Sequence, residues 1–169
     1  MEALIMLKQC AITEISNSFE LIGKEKLLLS AGTKENWNTM TASWGTMGVL
    51  WNKNVVSVVI RPQRYTYEFF EREPYFTVTV LEAGREEAYR ICGTKSGRDC
   101  DKISLAGLTP LVQNQALTFE EARLAVVCKK IYVQDLDPNG FLDPQIHQNY
   151  PLKDYHRLYC GEIVEVLKR

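Results

Sequence analysis

Residues 37–66 read WNTMTASWGTMGVLWNKNVVSVVIRPQRYT, and this stretch predicts both the fold and the candidate site. Its first half mixes β-branched, aromatic and small residues, and residues 55–60 form an apolar run typical of a buried strand. The stretch ends at Arg61 and Arg64, which Pro62 holds at a restricted corner of the backbone. An aromatic surface beside a cationic corner suits a flat ring that carries a phosphate group.

The rest of the chain predicts a mainly β protein. Strand patterns are found at residues 26–30, 75–81, 122–136 and 158–167, and short helices are predicted at residues 15–23, 65–72, 86–92, 103–106 and 145–150. Loops or turns are predicted at residues 31–36, 52–54, 93–102 and 137–140. Strands and helices do not alternate regularly, which favours an antiparallel β-barrel with helical insertions over a doubly wound sheet.

Composition sets the class of protein. A chain of 169 residues is expected to form a single domain, residues 1–169, and its net charge of −1 gives no overall field that would attract nucleic acid. Five cysteines without a C-x-x-C pair and two histidines offer no zinc-like spacing, so we expect reduced thiols and no metal. No apolar run is long enough to span a membrane, and the start, MEALIMLKQC, lacks a basic leader. We therefore expect a cytoplasmic protein.

Several enzyme signatures are missing from the sequence. It contains no G-x-G-x-x-G dinucleotide motif, no phosphate-binding G-x-x-x-x-G-K-[ST] loop and no G-x-S-x-G nucleophile motif. Catalysis by an isolated nucleophile with a histidine base remains an open alternative, but no residue pattern indicates one.

Residues 38–44, NTMTASW, are the first candidate cluster. Their amide and hydroxyl side chains can hydrogen-bond the polar edge of a flavin, and Trp44 can supply an aromatic surface beside it. A strand edge with an ordinary core tryptophan would give the same sequence. Both interpretations remain open at this point.

Two further clusters suit a phosphate. In residues 61–66, RPQRYT, arginine matches phosphate geometry, and Thr66 with the amides of the following helix adds neutral donors. Thr66 is also available as the cap of that helix. In the second cluster, the glycine-containing loop Ser96-Gly97-Arg98 with Lys102 could wrap an anion. A solvated turn and a basic surface loop are the alternative interpretations.

The order of these motifs resembles the flavin reductase-like FMN-binding proteins, and within them the flavoredoxin branch. The resemblance rests on Asn38-x-Met40-Thr41-x-Ser43-Trp44-Gly45, Arg61-Pro62-x-Arg64-Tyr65-Thr66, Ser96-Gly97-Arg98-Asp99-x-Asp101-Lys102, Gly107-Leu108-Thr109-Pro110, and His156 followed by Gly161-Glu162-Ile163. It extends from about residue 15 to residue 169. The chain departs from the commoner D-H-x-x-x-x-G pattern because Tyr155 precedes the histidine.

This resemblance implies an FMN-binding split β-barrel and a homodimer with one FMN in each subunit. It places the isoalloxazine against Asn38, Thr39, Met40, Thr41, Ala42, Ser43 and Trp44. It places the ribityl phosphate near Arg64, Tyr65 and Thr66, joined by Ser96, Gly97 and Lys102, at the corner that Arg61 begins. His156, with His147, would close the pocket, and no residue is assigned as a catalytic acid or base.

Three functions are compatible with these residues. The first is an FMN oxidoreductase of the flavin reductase type that takes electrons from NAD(P)H or from a reduced donor. The second is a flavoredoxin-like electron carrier with little NAD(P)H turnover, which the missing dinucleotide motif allows. The third is a non-redox ligand-binding protein on the same fold.

Overall fold

The computed structural model describes residues 7–169, so part of the apolar start of the chain lies outside the described residues. The strands in this range are β1 (Lys8–Gln9), β2 (Leu27–Gly32), β3 (Trp37–Ala42), β4 (Gly45–Leu50), β5 (Lys53–Ile60), β6 (Tyr75–Leu81), β7 (Pro110–Gln113), β8 (Ala116–Phe119), β9 (Ala122–Asp135) and β10 (Arg157–Lys168). The α-helices are α1 (Tyr65–Arg72), α2 (Glu86–Thr94) and α3 (Lys102–Leu105). A π-helix spans Glu20–Glu25, and 3-10 helices span Ile12–Glu14, Pro138–Gly140 and Pro144–Asn149.

One large antiparallel sheet dominates the molecule. Its strands lie in the order β3-β2-β6-β9-β10-β5-β4, and β1 adds to β10. Strands β7 and β8 form a separate hairpin. The prediction of a mainly β, antiparallel protein is confirmed, and β3 and β4, two of the three strands formed by the opening stretch, are the two ends of the sheet.

Helix α1 covers the core beside β2 and β3. Thr66, Phe69 and Phe70 are its buried residues, at the spacing that places side chains on one face of a helix. Phe70 contacts the ring of Phe76 on β6, with ring centroids 5.1 Å apart. The predicted bounds of this helix and of β6 are confirmed. The turn before α1 is therefore anchored by a packed core.

The two longest strands, β9 and β10, are paired with local irregularities. Their register shifts between Cys160 and Gly161 and again between Ile163 and Glu165. A Cβ atom at Gly161 would lie 2.6 Å from the Cβ of Cys128 and 2.6 Å from the ring of Phe76. Glycine is required here because two neighbouring strands leave no room for a side chain.

The first predicted helix, residues 15–23, is wrong in its position. Asn17 Oδ1 accepts a hydrogen bond from the amide of Phe19 at 3.0 Å, as a capping residue does, so the helical turn starts after it. The helix then continues through Gly23 to Glu25 and ends at Lys26, which has a φ of +75°. A π-helix places residues on a different face from an α-helix, which the α-helical spacing did not anticipate.

Other boundaries also moved. The predicted turn at residues 52–54 is wrong, because the hairpin turns at Trp51 and Asn52, whose φ angles are +54° and +56°. Two consecutive positive φ angles are typical of the tight turn whose twist matches a hairpin. The loop predicted at residues 31–36 is shorter, since Ala31 and Gly32 pair with Asn38 and Trp37. The β7–β8 hairpin was not predicted.

Candidate functional site

A cavity of about 240 Å³ lies where β3 ends and β4 begins. We call it the ring cavity. It is lined by Met40, Thr41, Ala42, Ser43, Trp44, Val59, Arg61, Arg64 and His156. Trp44 is 44% exposed and stands between the two strands, at the mouth of this cavity. Residues 40–44, which the sequence indicated, are therefore brought together with the arginine corner and the C-terminal histidine.

The strand wall of the ring cavity is held by α2. The hydroxyl of Thr41 donates to the carbonyl oxygen of Tyr89 at 2.6 Å. A Cβ atom at Gly93, in the same helix, would lie 3.4 Å from the Cβ of Thr41. These contacts hold the end of β3 against α2.

A second cavity, of about 210 Å³, adjoins the first. We call it the anion cavity. It is lined by Gln63, Arg64, Tyr65, Thr66, Thr94, Lys95, Ser96 and Lys102. Arg64 lines both cavities, so the ring cavity and the anion cavity lie side by side.

Lys102 is the most informative side chain of the anion cavity. It is only 3% exposed, its Nζ donates to the carbonyl oxygen of Lys95 at 3.4 Å, and no carboxylate among residues 7–169 pairs with it. Burial, with a smaller contribution from the charge of Arg64, lowers the pKa of Lys102 to about 8. A buried cation without a counterion is costly, so its position favours an anionic ligand.

Arg64 is positioned by the end of α2. Its guanidinium donates to the carbonyl oxygens of Gly93 at 2.9 Å and Cys92 at 3.4 Å. Burial lowers the pKa of Arg64, but an arginine keeps its charge near neutral pH. The side chain is thereby held as a fixed positive charge between the two cavities.

Asn38, Thr66 and Gly97 form a packed link beside the anion cavity. The Nδ2 of Asn38 donates to Thr66 Oγ1 at 2.8 Å, and a Cβ atom at Gly97 would lie 2.5 Å from Asn38 Oδ1. The predicted capping role of Thr66 is wrong, because Arg64 occupies the N-cap of α1 and the Thr66 hydroxyl is used by Asn38. Glycine at position 97 allows the loop to approach β3 this closely.

Four predicted site residues line neither cavity: Asn38 and Gly97, which belong to the link just described, and Thr39 and His147. Thr39 points into the core, where its Oγ1 accepts a hydrogen bond from Ser30 at 3.0 Å. His147 is exposed, and its ring packs against Phe141 with centroids 5.2 Å apart. Thr39 shares its strand face with Thr41, but Thr39 is fully buried, whereas Thr41 is partly exposed near the end of β3.

The position of Arg61 differs from the phosphate-binding position that the sequence suggested. It lines the ring cavity rather than the anion cavity, and its guanidinium pairs with Asp154 Oδ2 at 2.7 Å. Its other terminal nitrogen donates to the carbonyl oxygen of Asn149 at 2.8 Å. Arg61 thus ties the segment before β10 to the corner before α1.

His156 is the C-terminal wall of the ring cavity. It is 8% exposed, its ring lies 5.2 Å from that of Trp44, and its Nδ1 lies 2.7 Å from the hydroxyl of Tyr150. Burial lowers the pKa of His156 to about 4, and the positive charge of Arg61 acts in the same direction while Asp154 opposes it. The imidazole is therefore neutral at pH 7.

Sequence reasoning missed several residues around the site. Gln63 and Lys95 line the anion cavity, and their positions beside predicted residues were a usable signal. Tyr150 and Asp154 contact His156 and Arg61 from a segment without a recognisable motif. Nothing in the sequence pointed to these two.

Two further features concern the described residues as a whole. No helix in residues 7–169 is long and apolar enough to cross a membrane. In the same range, no group of three histidine, cysteine, aspartate or glutamate side chains is arranged to hold a metal ion.

Comparison with known proteins gives the family. The sequence profile described as "Flavin reductase like domain" matches residues 24–169, and the chain belongs to this family. No curated protein sequence matches the chain. The predicted family is confirmed.

Solved structures show the same fold. An FMN-binding domain of a flavin reductases-like enzyme from Shewanella baltica OS155 has a TM-score of 0.68 and 18% identity, and the match covers 97% of this chain and 78% of that one. Flavoredoxin from Methanosarcina acetivorans has a TM-score of 0.66 and 21% identity, with 95% and 76% covered. An NADH:FAD oxidoreductase from Streptomyces globisporus C-1027 has a TM-score of 0.65 and 18% identity, with 86% and 75% covered. The predicted split β-barrel fold is confirmed.

Proposed function

We propose that this chain is an FMN-binding oxidoreductase of the flavin reductase type. The observation that carries the proposal is the buried cation Lys102, without a carboxylate partner in residues 7–169, in a cavity that shares Arg64 with the ring cavity. A ligand with a flat ring and an anionic tail would match both halves. A non-redox ligand would need the same two features.

The residues present fit FMN. Lys102 with Arg64, Thr66 and Ser96 would hold the phosphate, because a buried ammonium and hydroxyl donors favour an anion. Residues 40–44 and His156 would hold the ring, with Trp44 as the aromatic surface. Bound FMN would supply hydride and electron transfer, and the protein would bind it, orient it and exclude water.

The first experiment is the visible spectrum of the purified protein, followed by FMN titration. We expect flavin absorbance or quenched flavin fluorescence, with binding of FMN tighter than binding of riboflavin because riboflavin lacks the phosphate. A colourless protein that neither binds FMN nor quenches its fluorescence would contradict the proposal.

The second experiment separates an enzyme from a carrier. The FMN-loaded protein is mixed anaerobically with NADH and, separately, with NADPH. Rapid bleaching by either nucleotide supports the reductase. Bleaching only by a reduced ferredoxin-like donor supports a flavoredoxin-like electron carrier, the alternative that the likeness to a flavoredoxin favours.

We further propose that residues 1–169 act as one FMN-binding domain and that two copies form a homodimer. The support for the dimer is a row of exposed apolar residues at the end of β4. Strand β4 is an end strand of the sheet and has β5 as its sole partner strand within residues 7–169. An exposed apolar edge of this kind favours association with another chain.

A further inference from the structure

Tyr150 and His156 form a hydrogen-bonded pair at the edge of the ring cavity. The Tyr150 side chain is buried, and its hydroxyl lies 2.7 Å from His156 Nδ1. Within residues 7–169 this hydroxyl has no other hydrogen-bond partner. The contact is therefore the single polar link between the segment before β10 and the imidazole.

The partners of this hydrogen bond decide where the imidazole proton lies. A buried hydroxyl hydrogen needs an acceptor, and Nδ1 is the acceptor that the described residues provide. If Tyr150 donates to Nδ1, that nitrogen carries no proton. A neutral imidazole must then carry its proton on Nε2.

We propose that Tyr150 is a positioning residue that holds His156 as the Nε2–H tautomer, so that the ring cavity presents a neutral N–H donor to an acceptor atom of the bound flavin. The proposed tautomer of His156 depends only on the geometry of the unliganded chain. The identity of the ligand rests on the proposed function. The residue that precedes the histidine in sequence, Tyr155, has no part in this hydrogen bond.

The charged groups around the pair favour the neutral form of the His156 imidazole. Arg61 lies with its Cζ 4.9 Å from the centre of the Tyr150 ring, and it pairs with Asp154 at 2.7 Å. Gln63 donates to the same carboxylate at 2.5 Å. The guanidinium opposes a second positive charge on His156, whereas Asp154, engaged by Arg61 and Gln63, only partly offsets it. Burial adds to this effect, and the pKa of His156 falls to about 4.

The test is long-range ¹H–¹⁵N NMR of the histidine side chains. The chain has two histidines, so a His147→Gln variant assigns the signals of His156. We expect the wild-type His156 signals to show a neutral Nε2–H ring from pH 7 down to about pH 5. In Tyr150→Phe, we expect the Nδ1–H tautomer to appear and the pKa of His156 to rise by about one unit, because a donor to the neutral ring is lost.

Tyr155→Phe is the matched control. The ring of Tyr155 lies 5.0 Å from that of Tyr150, but its hydroxyl makes no hydrogen bond within residues 7–169, so the tautomer and the pKa of His156 should not change. A wild-type ring that is Nδ1–H or charged at pH 7 would overturn the proposal. So would a Tyr150→Phe variant with wild-type signals, or a Tyr155→Phe variant that changes them equally.

FMN titration of the labelled wild-type protein tests the contact with the ligand. Saturating FMN should shift the Nε2 signal of His156 and leave that of His147 unchanged. Binding of FMN, seen in the visible spectrum, without this shift would overturn the donor role of His156. A failure of FMN to bind would overturn the proposed function and the flavin contact, while the spectra of the unliganded protein would still decide the role of Tyr150.

Discussion

Lys102 carries a stability cost in the unliganded protein. Its pKa is lowered from 10.5 to about 8. The buried charge therefore reduces the free energy of unfolding by its full amount below about pH 8, and this reduction decreases to zero as the pH rises from 8 to 10.5. A shift of this size corresponds to about 3 kcal/mol at pH 7. We expect Lys102→Met to raise the free energy of unfolding of the FMN-free protein by about 2 kcal/mol, measured by urea denaturation.

The same substitution, Lys102→Met, should weaken the binding of FMN. Loss of a charge-assisted hydrogen bond to a phosphate costs about 2 kcal/mol, whereas riboflavin binding should be almost unchanged. Lys95→Met is the control, because Lys95 lines the same cavity but is exposed. If Lys102→Met weakens the binding of FMN and of riboflavin equally, the phosphate is bound elsewhere.

The pH dependence of FMN binding follows from the same residue. Above pH 8, Lys102 loses its proton in the free protein, so binding of the phosphate must take up a proton. Affinity for FMN should fall by up to about tenfold per pH unit above pH 8. The thiol of Cys92, whose pKa burial raises to about 11, stays neutral across most of this range.

Fluorescence titrations between pH 6.5 and 9.5 would measure this effect. Riboflavin should show no comparable decline, and Lys102→Met should give a flat profile with FMN. An equal decline for both flavins would assign the titration to the ring cavity or to the flavin itself.

The pairing of β9 with β10 depends on one glycine. Gly161→Ala would place a Cβ atom 2.6 Å from both Cys128 and Phe76, which are buried and cannot move freely. We expect a loss of about 1–3 kcal/mol in the free energy of unfolding, measured by urea denaturation.

Gly48→Ala provides a matched control in a strand. A Cβ atom at Gly48 meets no atom within 4 Å, so stability should be unchanged or slightly higher. Equal destabilisation by the two substitutions would show that strand propensity, and not the close approach at Gly161, sets the cost.

The predicted elements differ in accuracy for physical reasons. Helix α1 and strand β6 were predicted with correct bounds, because their buried residues follow regular periods of a helix and a strand. The hairpin of β7 and β8 was missed, since each strand has four residues and is too short to show alternation. The π-helix was misplaced because its period differs from 3.6 residues.

The candidate site was predictable where its residues are close in sequence. Residues 40–44 and the pair Arg64 and Lys102 do line the cavities, because strand ends and glycine-containing loops leave polar side chains free. The Tyr150 and Asp154 contacts were not predictable. They depend on how the segment before β10 folds back onto the corner before α1, a tertiary contact without local periodicity.

At the scale of the whole molecule, the end of β4 is the clearest surface for a second copy. Val49, Leu50 and Trp51 are 72%, 45% and 56% exposed, and the Trp51 ring meets that of Tyr132 with centroids 5.7 Å apart. Water would be excluded from these side chains if two copies packed here. We expect the wild-type protein to be a dimer in light scattering coupled to size-exclusion chromatography, and Val49→Lys to be monomeric at the same concentration.

Val164→Lys is the control, because Val164 is also an exposed valine, 47% accessible, but lies on β10. Both valines are exposed, so a lysine at either position should leave the core undisturbed, and the far-ultraviolet circular dichroism of both variants should match the wild type. Dimerisation that survives Val49→Lys, or that Val164→Lys abolishes equally, would exclude the β4 edge as the interface. A wild-type monomer would exclude the homodimer, and the flavin site would then be formed by the residues of one chain.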